Sequence, residues 1–549
     1  MRLLLLYTCL LLTVSLAKGQ SGSGPGQEEQ KHLVYFKDKA DSPFSTDAAT
    51  QFLSSKAIER RSKQGIPVVP RDFPVNPQYV KGLQDQGAKV LYTSRWFNAV
   101  MVQCSTEKLA ELQALPFVRS SQTLNRLANT TSRKSGTQSA DSMEMTIIAP
   151  EAKEYGLAFH QANMLGVPAL QAAGYKGEGI AIAVLDAGFP GVNSATPFAH
   201  LHENNQIKAT FDFVTRKQDV YSSSSHGTSV LSTMAAYEPG KLIGTAYKAD
   251  YYLFRTEDAA TEHNIEEVNW LLAAEFADSA GVDVINSSLG YTLFDSPSYS
   301  YTYEELNGNT SIVTRAADYA AATGMLVVVS AGNEGNKPWR YVSAPADADS
   351  VLTVGAVDSL ANRATFSSIG PTADQRIKPD VVAMGQQAYV LTPSGALVRS
   401  NGTSFSGPIM AGMVACLWQA NNTLSNMQLL QLVRQMGSNA SNPNNNIGYG
   451  VPHYNETVTG LPEFVNDGIA ISNPVTEQDI VLTMGESWQK AQSVVQVFDA
   501  TGKLLLKQNL PSNNRSHVLQ LRPGRLKRGV YLCQVTSGEQ RITLRFVKL

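Results

Sequence analysis

Cysteine is scarce in this chain: four occur among 549 residues, and they lie far apart in sequence. Cys9 falls in an apolar N-terminal run, while Cys104, Cys416 and Cys533 belong to three different segments. A chain without a clustered set of cysteines has no disulfide framework to hold it together. We therefore expect a large packed core, or bound ions, to stabilise the fold.

An excess of charge of either sign is also missing. Lys and Arg together number 45 against 47 Asp and Glu, which leaves a formal net charge of −2. A chain this balanced presents no extended field to nucleic acid or to an anionic membrane. Neither is expected as its main partner.

Long apolar runs are absent beyond the first twenty residues. Residues 3–16 are apolar, Arg2 precedes them and the small-residue stretch Ala17-Lys18-Gly19 follows, which is the pattern of a secretory signal peptide over residues 1–19. The run is shorter than the roughly 18 residues that a membrane-spanning helix needs. We expect a soluble, exported protein without a transmembrane span.

The rest of the chain changes its pattern three times. Residues 20–125 follow a β-α-β-β-α-β order, which predicts a compact α+β unit, and the polar residues 126–150 form a linker open to proteolysis. Residues 151–460 alternate apolar strands with helices, which predicts an α/β domain whose parallel sheet has helices on both faces. Residues 461–549 hold short strands separated by turns, which predicts a small all-β sandwich.

Four chemically reactive side chains stand at the ends of elements in the α/β segment. Asp186 ends one apolar strand and Asn333 follows another, whereas His226 and Ser404 each stand at the start of a helix. Sites in open parallel sheets form outside the carboxyl ends of the strands. We therefore expect these four side chains to gather at one edge of the sheet.

Their chemistry is complementary. A serine hydroxyl needs a base, and His226 can serve because imidazole titrates near neutral pH, with Asp186 fixing its tautomer. The Asn333 amide and the Ser404 backbone N–H can donate to the oxyanion of a tetrahedral intermediate. Each residue taken singly has a structural role open to it, such as a cap or a turn. Their joint occurrence, in the order Asp, His, Asn, Ser, favours catalysis.

Over roughly residues 155–460 the chain resembles the subtilisin family of serine proteases, whose triad runs in the order Asp, His, Ser. The resemblance extends to Ile285-Asn286-Ser287-Ser288-Leu289-Gly290 and to Lys378-Pro379-Asp380. It implies a subtilisin-like fold, with Ser404 as nucleophile, Asp186 and His226 as the base pair and Asn333 as oxyanion donor. It also implies five substrate-binding residues, namely Ser288, Leu289, Gly290, Ala331 and Gly332.

Three departures from the family pattern leave the rate and the specificity unpredicted. Ala187 follows the aspartate where the family usually has Ser or Thr, Ser229 replaces a second histidine, and Ser406-Gly407 replaces Ala-Thr or Ala-Ala. The first departure removes a hydrogen bond near the carboxylate. None of them removes a catalytic group.

A tyrosine-rich insertion at residues 291–309 follows the Ser-Leu-Gly segment and is expected to shape the substrate cleft. Its acidic residues Asp295, Glu304 and Glu305 are candidate calcium ligands, with a solvated loop as the alternative. No cofactor is expected for catalysis, and a structural role for calcium is left open.

The units before and after the α/β domain each resemble a known type of domain. The N-terminal unit is similar to inhibitory prodomains of the family, which implies self-cleavage within residues 122–150; a permanent accessory domain is the alternative. The C-terminal unit resembles the sorting domains of proteins exported by the type IX system of some Gram-negative bacteria. A generic carbohydrate- or protein-binding sandwich is the alternative there.

These features predict a serine endopeptidase, secreted by or held at the surface of a Gram-negative bacterium and made as a self-processing zymogen. It would act through a Ser404 acyl-enzyme. Its partners would be protein or peptide substrates, its own prodomain as an intramolecular inhibitor, and the export machinery.

Two other classes of protein remain as hypotheses. A catalytically dead adhesion module would require a broken triad, and this triad is unbroken. An esterase of the α/β-hydrolase type would carry a Gly-x-Ser-x-Gly elbow and the order Ser, Asp, His. Ser404 lacks that elbow, and both of its partners precede it.

Overall fold

The computed structural model describes residues 29–124 and 150–455, and within the C-terminal part residues 469–471, 479–484, 488, 492–499, 502–512, 516–520, 529–538 and 540–548. The predicted signal peptide, and the linker apart from Pro150, lie outside the described residues. The chain divides into two compact units, Met1–Tyr454 and Asn455–Leu549.

Residues 29–124 form an N-terminal lobe, a four-stranded antiparallel sheet with helices, in the strand order β2-β3-β1-β4. Alternate residues of a strand face opposite sides of a sheet, and both sides of β1 and β3 are buried, which means that both faces of the sheet are covered. The elements are β1 Gln30–Phe36, α1 Ser55–Lys63, α2 Pro77–Asp85, β2 Lys89–Ser94, β3 Ala99–Cys104, α3 Thr106–Gln113 and β4 Val118–Thr123.

Two details of the lobe differ from the sequence prediction. The first helix of the predicted β-α-β-β-α-β order is divided into a 3-10 turn, Thr46–Gln51, and α1, because Ser54 caps a new helix by accepting from Ala57 N at 3.1 Å. Helix α2 was not predicted. It begins with Pro77 at its first position, where no N–H is needed.

A seven-stranded parallel sheet forms the centre of the first unit, in the order β13-β12-β11-β10-β5-β9-β6. Strands β5 and β10 to β13 are buried along their whole length, as expected of a sheet covered on both faces, whereas the edge strand β6 is only partly buried. The strands of this part of the chain are β5 Ala181–Asp186, β6 Ile207–Asp212, β7 Tyr237–Glu238, β8 Leu242–Ile243, β9 Asp250–Arg255, β10 Val284–Ser287, β11 Leu326–Ser330, β12 Leu352–Val357, β13 Val381–Met384, β14 Ala388–Leu391 and β15 Leu397–Ser400.

Helices cover both faces of this sheet. One face carries α9 and α10, which share a core cluster with alternate strand residues such as Ala183, Ile285 and Val327. Helix α11 lies along β10 to β13 and beside α8. The helices are α4 Pro150–Tyr155, α5 Phe159–Asn163, α6 Val167–Ala172, α7 Ala199–Glu203, α8 His226–Ala235, α9 Ile265–Ala280, α10 Ile312–Ala322, α11 Thr403–Ala420 and α12 Asn426–Gln435. No helix among the described residues is long and apolar enough to cross a membrane.

The N-terminal lobe lies against α9 and α10. Residues from the second face of its sheet, including Leu33, Tyr35 and Met101, join the same apolar cluster as those two helices. Trp96 and Phe97, from the β2–β3 turn, both make edge contacts with the Tyr319 ring of α10.

A buried cluster of charged side chains stabilises the contact between the lobe and α9. Asp278 of α9 pairs with three arginines of the lobe: Arg60, Arg61 at 2.8 Å and Arg95 at 2.5 Å. Burial alone would raise the pKa of Asp278, but the three guanidinium groups hold it below its ordinary value. One turn away Glu275 accepts from Ser94 Oγ at 2.6 Å. Ion pairs therefore stabilise the contact between the lobe and α9, in addition to the burial of apolar side chains.

The second unit contains two antiparallel sheets, in the orders β16-β17-β20 and β19-β18-β21-β22. An apolar cluster that includes Val495, Val497 and Phe546 forms its core. Its strands are β16 Ile469–Ile471, β17 Asp479–Met484, β18 Ser493–Asp499, β19 Leu504–Leu510, β20 Ser516–Gln520, β21 Gly529–Ser537 and β22 Gln540–Lys548.

The described cysteines, Cys104, Cys416 and Cys533, are free and buried. Burial raises the pKa of each thiol.

Candidate active site

The predicted catalytic side chains meet at the carboxyl edge of the sheet. Strands β11, β10 and β5 are neighbours and parallel, so the residues that end or follow them lie side by side. Asp186 is the last residue of β5, and Asn333 follows β11 by three positions. Helices α8 and α11, which contact one another, start with His226 and Thr403.

Asp186 and His226 are hydrogen bonded. His226 Nδ1 lies 2.8 Å from Asp186 Oδ1. The aspartate is fully buried, whereas 30% of the histidine side chain is exposed, so one ring nitrogen is held and the ring remains accessible. Burial opposes protonation of the ring, but the charge and the hydrogen bond of Asp186 raise the pKa of His226 above its ordinary value of 6.5.

The two carboxylate oxygens of Asp186 differ in their hydrogen bonds. Oδ1 accepts from the Ala187 backbone N–H at 2.7 Å, whereas Oδ2 has no hydrogen-bond partner among the described residues. A hydroxyl side chain at position 187 is the family's usual donor in this place, and alanine supplies none. The imidazole therefore shares Oδ1 with one backbone N–H.

Ser404 lies in the first turn of α11, where backbone N–H groups lack partners within the helix. Its hydroxyl donates to Ser288 O at 3.4 Å, and Ser288 Oγ donates back to Ser404 O at 3.0 Å. Within the described chain no hydrogen bond joins Ser404 to His226, although the adjacent Phe405 ring lies 6.2 Å from the imidazole. Nucleophile-to-base hydrogen bonds commonly shorten only when substrate binds.

Asn333 is oriented by Thr403, which was not among the predicted site residues. Thr403 N and Thr403 Oγ1 donate to Asn333 Oδ1 at 2.9 and 3.1 Å. Because the carbonyl oxygen of the amide is occupied in this way, its NH₂ group is left for another acceptor. Thr403 stands directly before Ser404, so the motif offered a local signal for its role.

The five predicted substrate-binding residues lie on two segments that end near one serine. Ser288, Leu289 and Gly290 follow β10, while Ala331 and Gly332 follow β11. A β-carbon on Gly290 would come within 2.9 Å of Ser343 Cβ, and one on Gly332 within 2.7 Å of Ser343 Oγ. Ser343 is distant in sequence from Gly290 but follows Gly332 by only 11 positions, and no motif pointed to it.

Two of the three candidate calcium ligands accept hydrogen bonds from protein donors. Asp295 Oδ2 accepts from Glu262 N at 3.0 Å, and Glu305 accepts from Tyr299 OH at 2.9 Å and caps its own 3-10 turn. The structure does not bring Asp295, Glu304 and Glu305 together as a set of ligands among the described residues.

A different acidic group lies behind the site. One carboxylate oxygen from each of Glu257, Glu262 and Glu266 lies within 4.8 Å of the others. Glu266 already accepts from the backbone N–H groups of Asp258 and His263, at 2.8 and 2.9 Å. Close carboxylates of this kind occur without ions, and nothing further assigns a cation here. Glu257 was not among the predicted site residues, because no motif surrounds it.

Comparison with known proteins places each segment. A model of the subtilase family matches residues 177–450, one of the Bacteroidota peptidase S8 propeptide domain matches 31–140, and one of the secretion system C-terminal sorting domain matches 473–549.

Individual relatives agree with the family models. Subtilisin DY of Bacillus licheniformis is 30% identical over 298 residues, which cover 54% of this chain and 94% of that protein. Subtilisin E of Bacillus subtilis is 31% identical over 292 residues, covering 52% of this chain and 67% of that protein. A crystal structure of MycP1 with its N-terminal propeptide removed aligns at 21% identity and a TM-score of 0.43, over 53% of this chain and 93% of that one.

Fold and relatives together define the class of this protein, a serine endopeptidase with a propeptide domain and a C-terminal sorting domain. The chain belongs to the subtilase family.

Proposed function

We propose that this chain is a self-processing zymogen whose peptidase activity depends on Asp186, His226, Ser404 and Asn333. Ser404 Oγ attacks the substrate carbonyl carbon while His226 takes its proton, and Asp186 stabilises the imidazolium. The Asn333 amide and the Ser404 N–H hold the oxyanion. His226 then protonates the leaving amine, and water releases the acyl group by the same route.

The observation that supports this proposal most directly is the 2.8 Å hydrogen bond between Asp186 and His226. It fixes the imidazole tautomer beside the start of α11. The second nitrogen of the ring remains accessible, as a base acting on Ser404 requires.

A fluorophosphonate probe tests the proposal directly. It should label the processed wild-type protein once per chain, and peptide mapping should place the adduct on Ser404. A protein that is processed but takes up no label would instead support the catalytically dead adhesion module.

Replacing Asn333 with alanine should lower kcat by about 10²–10³-fold, the usual effect of losing one oxyanion donor. KM should change little, because the developing charge is absent from bound substrate. Steady-state kinetics on a peptide substrate measures both. Asn336→Ala, at an exposed position of the same loop, is the matched control and should retain wild-type kinetics. A larger change in KM than in kcat would assign Asn333 to substrate binding instead.

Replacing Gly332 with alanine should lower kcat/KM at least about 10²-fold by narrowing the proposed substrate pocket. Gly332 has φ +105°, and an added β-carbon would lie 2.7 Å from Ser343 Oγ and 2.9 Å from Ser368 Oγ. Gly174→Ala separates the two effects, because Gly174 has φ +97° but open space around it. Equal losses in both variants would show that backbone strain, and not the pocket, is responsible.

The flanking units take part in the same proposal. The N-terminal lobe would inhibit the enzyme until cleavage within residues 122–150. The C-terminal unit would direct the chain through the type IX system to the exterior or the cell surface of a Gram-negative bacterium. The boundaries at 19, 125, 150 and 460, and the roles of the five substrate-binding residues, remain predictions, as does any structural calcium.

A further inference from the structure

Glu257 is a buried carboxylate behind the Asp186–His226 pair, and the reaction described above does not use it. Strand β9 ends at Arg255, which stands opposite Asp186 in the parallel register. Thr256 N then donates to Asp186 O at 2.9 Å. Glu257 is the next residue, and only 7% of it is exposed. The backbone therefore carries its side chain into the region where β5 ends.

Two hydroxyl groups hold the Glu257 carboxylate. Its Oε1 accepts from Thr256 Oγ1 and from Tyr291 OH, each at 2.7 Å. Tyr291 directly follows Gly290, and its backbone exchanges hydrogen bonds with Ala344 at 2.8 and 3.1 Å. The contact with Tyr291 thus joins Glu257 to the segment that would bind substrate and to the neighbour of Ser343.

The surroundings of Glu257 are rich in charge. Burial raises the pKa of Glu257 to about 7, the two hydroxyl donors act against this rise, and Asp186 adds to it by repulsion. In return the charge of Glu257 helps to raise the pKa of His226. The titratable and charged groups that face Glu257 are Asp186 of β5, His226 of α8, Arg255 of β9, Glu262 and Glu266 at the start of α9, and Tyr291.

We propose that Glu257 is a positioning residue for peptide hydrolysis: it holds the substrate-binding segment through Tyr291 and supplies a second negative charge behind the Asp186–His226 pair. This inference rests on the catalytic roles proposed above. When the Ser404 proton moves to His226, the negative charges of Asp186 and Glu257 both stabilise the resulting imidazolium. The same proton later passes to the leaving amine, so Glu257 itself neither gains nor loses a bond.

Glu257→Gln tests the charge, because an amide oxygen can still accept from Thr256 and Tyr291. His226 acts as a base only when neutral, so activity falls as the pH drops through its pKa. Removing a neighbouring negative charge lowers that pKa. Glu257, with a pKa of about 7, is partly protonated over the same pH range, so the acid limb of kcat/KM should move to lower pH by about 0.3–0.5 unit. KM at high pH should stay within about threefold of wild type. Rates are expressed per site titrated with fluorophosphonate.

Tyr291→Phe tests the positioning contact. It removes one hydrogen bond to the substrate-binding segment, so KM should rise by about 3–10-fold with kcat nearly unchanged. Glu178→Gln is the control for the loss of one carboxylate charge away from the site, because the Glu178 side chain is about half exposed and pairs with Lys248 at 2.7 Å. It should leave both the acid limb and KM as in wild type.

An acid limb in Glu257→Gln that coincides with wild type would overturn the role of the charge, and an unchanged KM in Tyr291→Phe would overturn the positioning role. If the glutamine variant does not fold, Glu257→Asp replaces it. The aspartate keeps the negative charge, but its shorter side chain draws the carboxylate oxygen away from Tyr291. The acid limb of kcat/KM should therefore stay at the wild-type pH while KM rises. A shift of the acid limb in this variant would contradict the proposal. Full activity of Ser404→Ala would instead reject the catalytic roles on which the proposal rests.

Discussion

Ser404→Ala should leave the chain at its full length after the signal peptide is removed, whereas wild type should lose a further ~100–130 residues, the span of the lobe and linker. Removing the nucleophile leaves His226 no hydroxyl to activate, so no acyl-enzyme forms. Residual peptidase activity should fall by about 10⁶-fold, the size of loss seen when a related triad loses its serine. Intact-mass spectrometry measures the processing, and a peptide assay measures the activity.

The matched control is Ser406→Ala, two residues further along α11. Its hydroxyl donates to Thr403 O at 3.1 Å, and none of the described hydrogen bonds joins it to His226 or to the Ser404 hydroxyl. This variant should process itself and label with fluorophosphonate. Normal processing of Ser404→Ala in a host without other proteases would refute self-cleavage by this serine.

Asp278→Ala should weaken the hold of the N-terminal lobe on the catalytic part by about 3–5 kcal/mol, because three buried arginines would lose their common carboxylate. The change is best made in the Ser404→Ala background, where the lobe stays attached. Urea unfolding followed by tryptophan fluorescence should detect it, since Trp96 is buried in this contact. The variant should unfold at lower urea concentration.

An exposed ion pair of the same lobe provides the comparison. Glu59 of α1 pairs with Lys63 at 2.8 Å, with more than half of each side chain in solvent. Glu59→Gln should leave the free energy of unfolding nearly unchanged, because solvent screens an exposed ion pair. Equal effects of Asp278→Ala and Glu59→Gln would mean that the buried cluster contributes no more than a surface pair.

The sequence predicted the parts of the site that depend on local signals and on sheet topology. An apolar strand that ends in Asp186 and helices that begin near His226 and Ser404 can be recognised from short segments. The rule that sites form at the carboxyl ends of parallel strands then brings them together. The start of α3 carries a local signal of the same kind, since Ser105 Oγ caps this helix by accepting from Lys108 N at 3.3 Å.

What the sequence left unpredicted depends on tertiary contacts. Ser343 lies beside the predicted substrate-binding segment because its neighbour Ala344 exchanges backbone hydrogen bonds with Tyr291. From the sequence alone, Glu257 and Asp278 would each be predicted to be exposed to solvent, because a charged residue is seldom buried without a partner. Their partners, Tyr291 for the first and three arginines for the second, come from distant segments.

The lobe contact also has a consequence for the time course of activation. Cutting the linker removes none of the contacts between Asp278 and Arg60, Arg61 and Arg95, so the severed lobe starts out bound. We expect activity to appear after a lag that ends only when free enzyme digests the lobes still attached to other molecules. Such a lag should shorten as the protein concentration rises, and a trace of mature enzyme added at the start should abolish it.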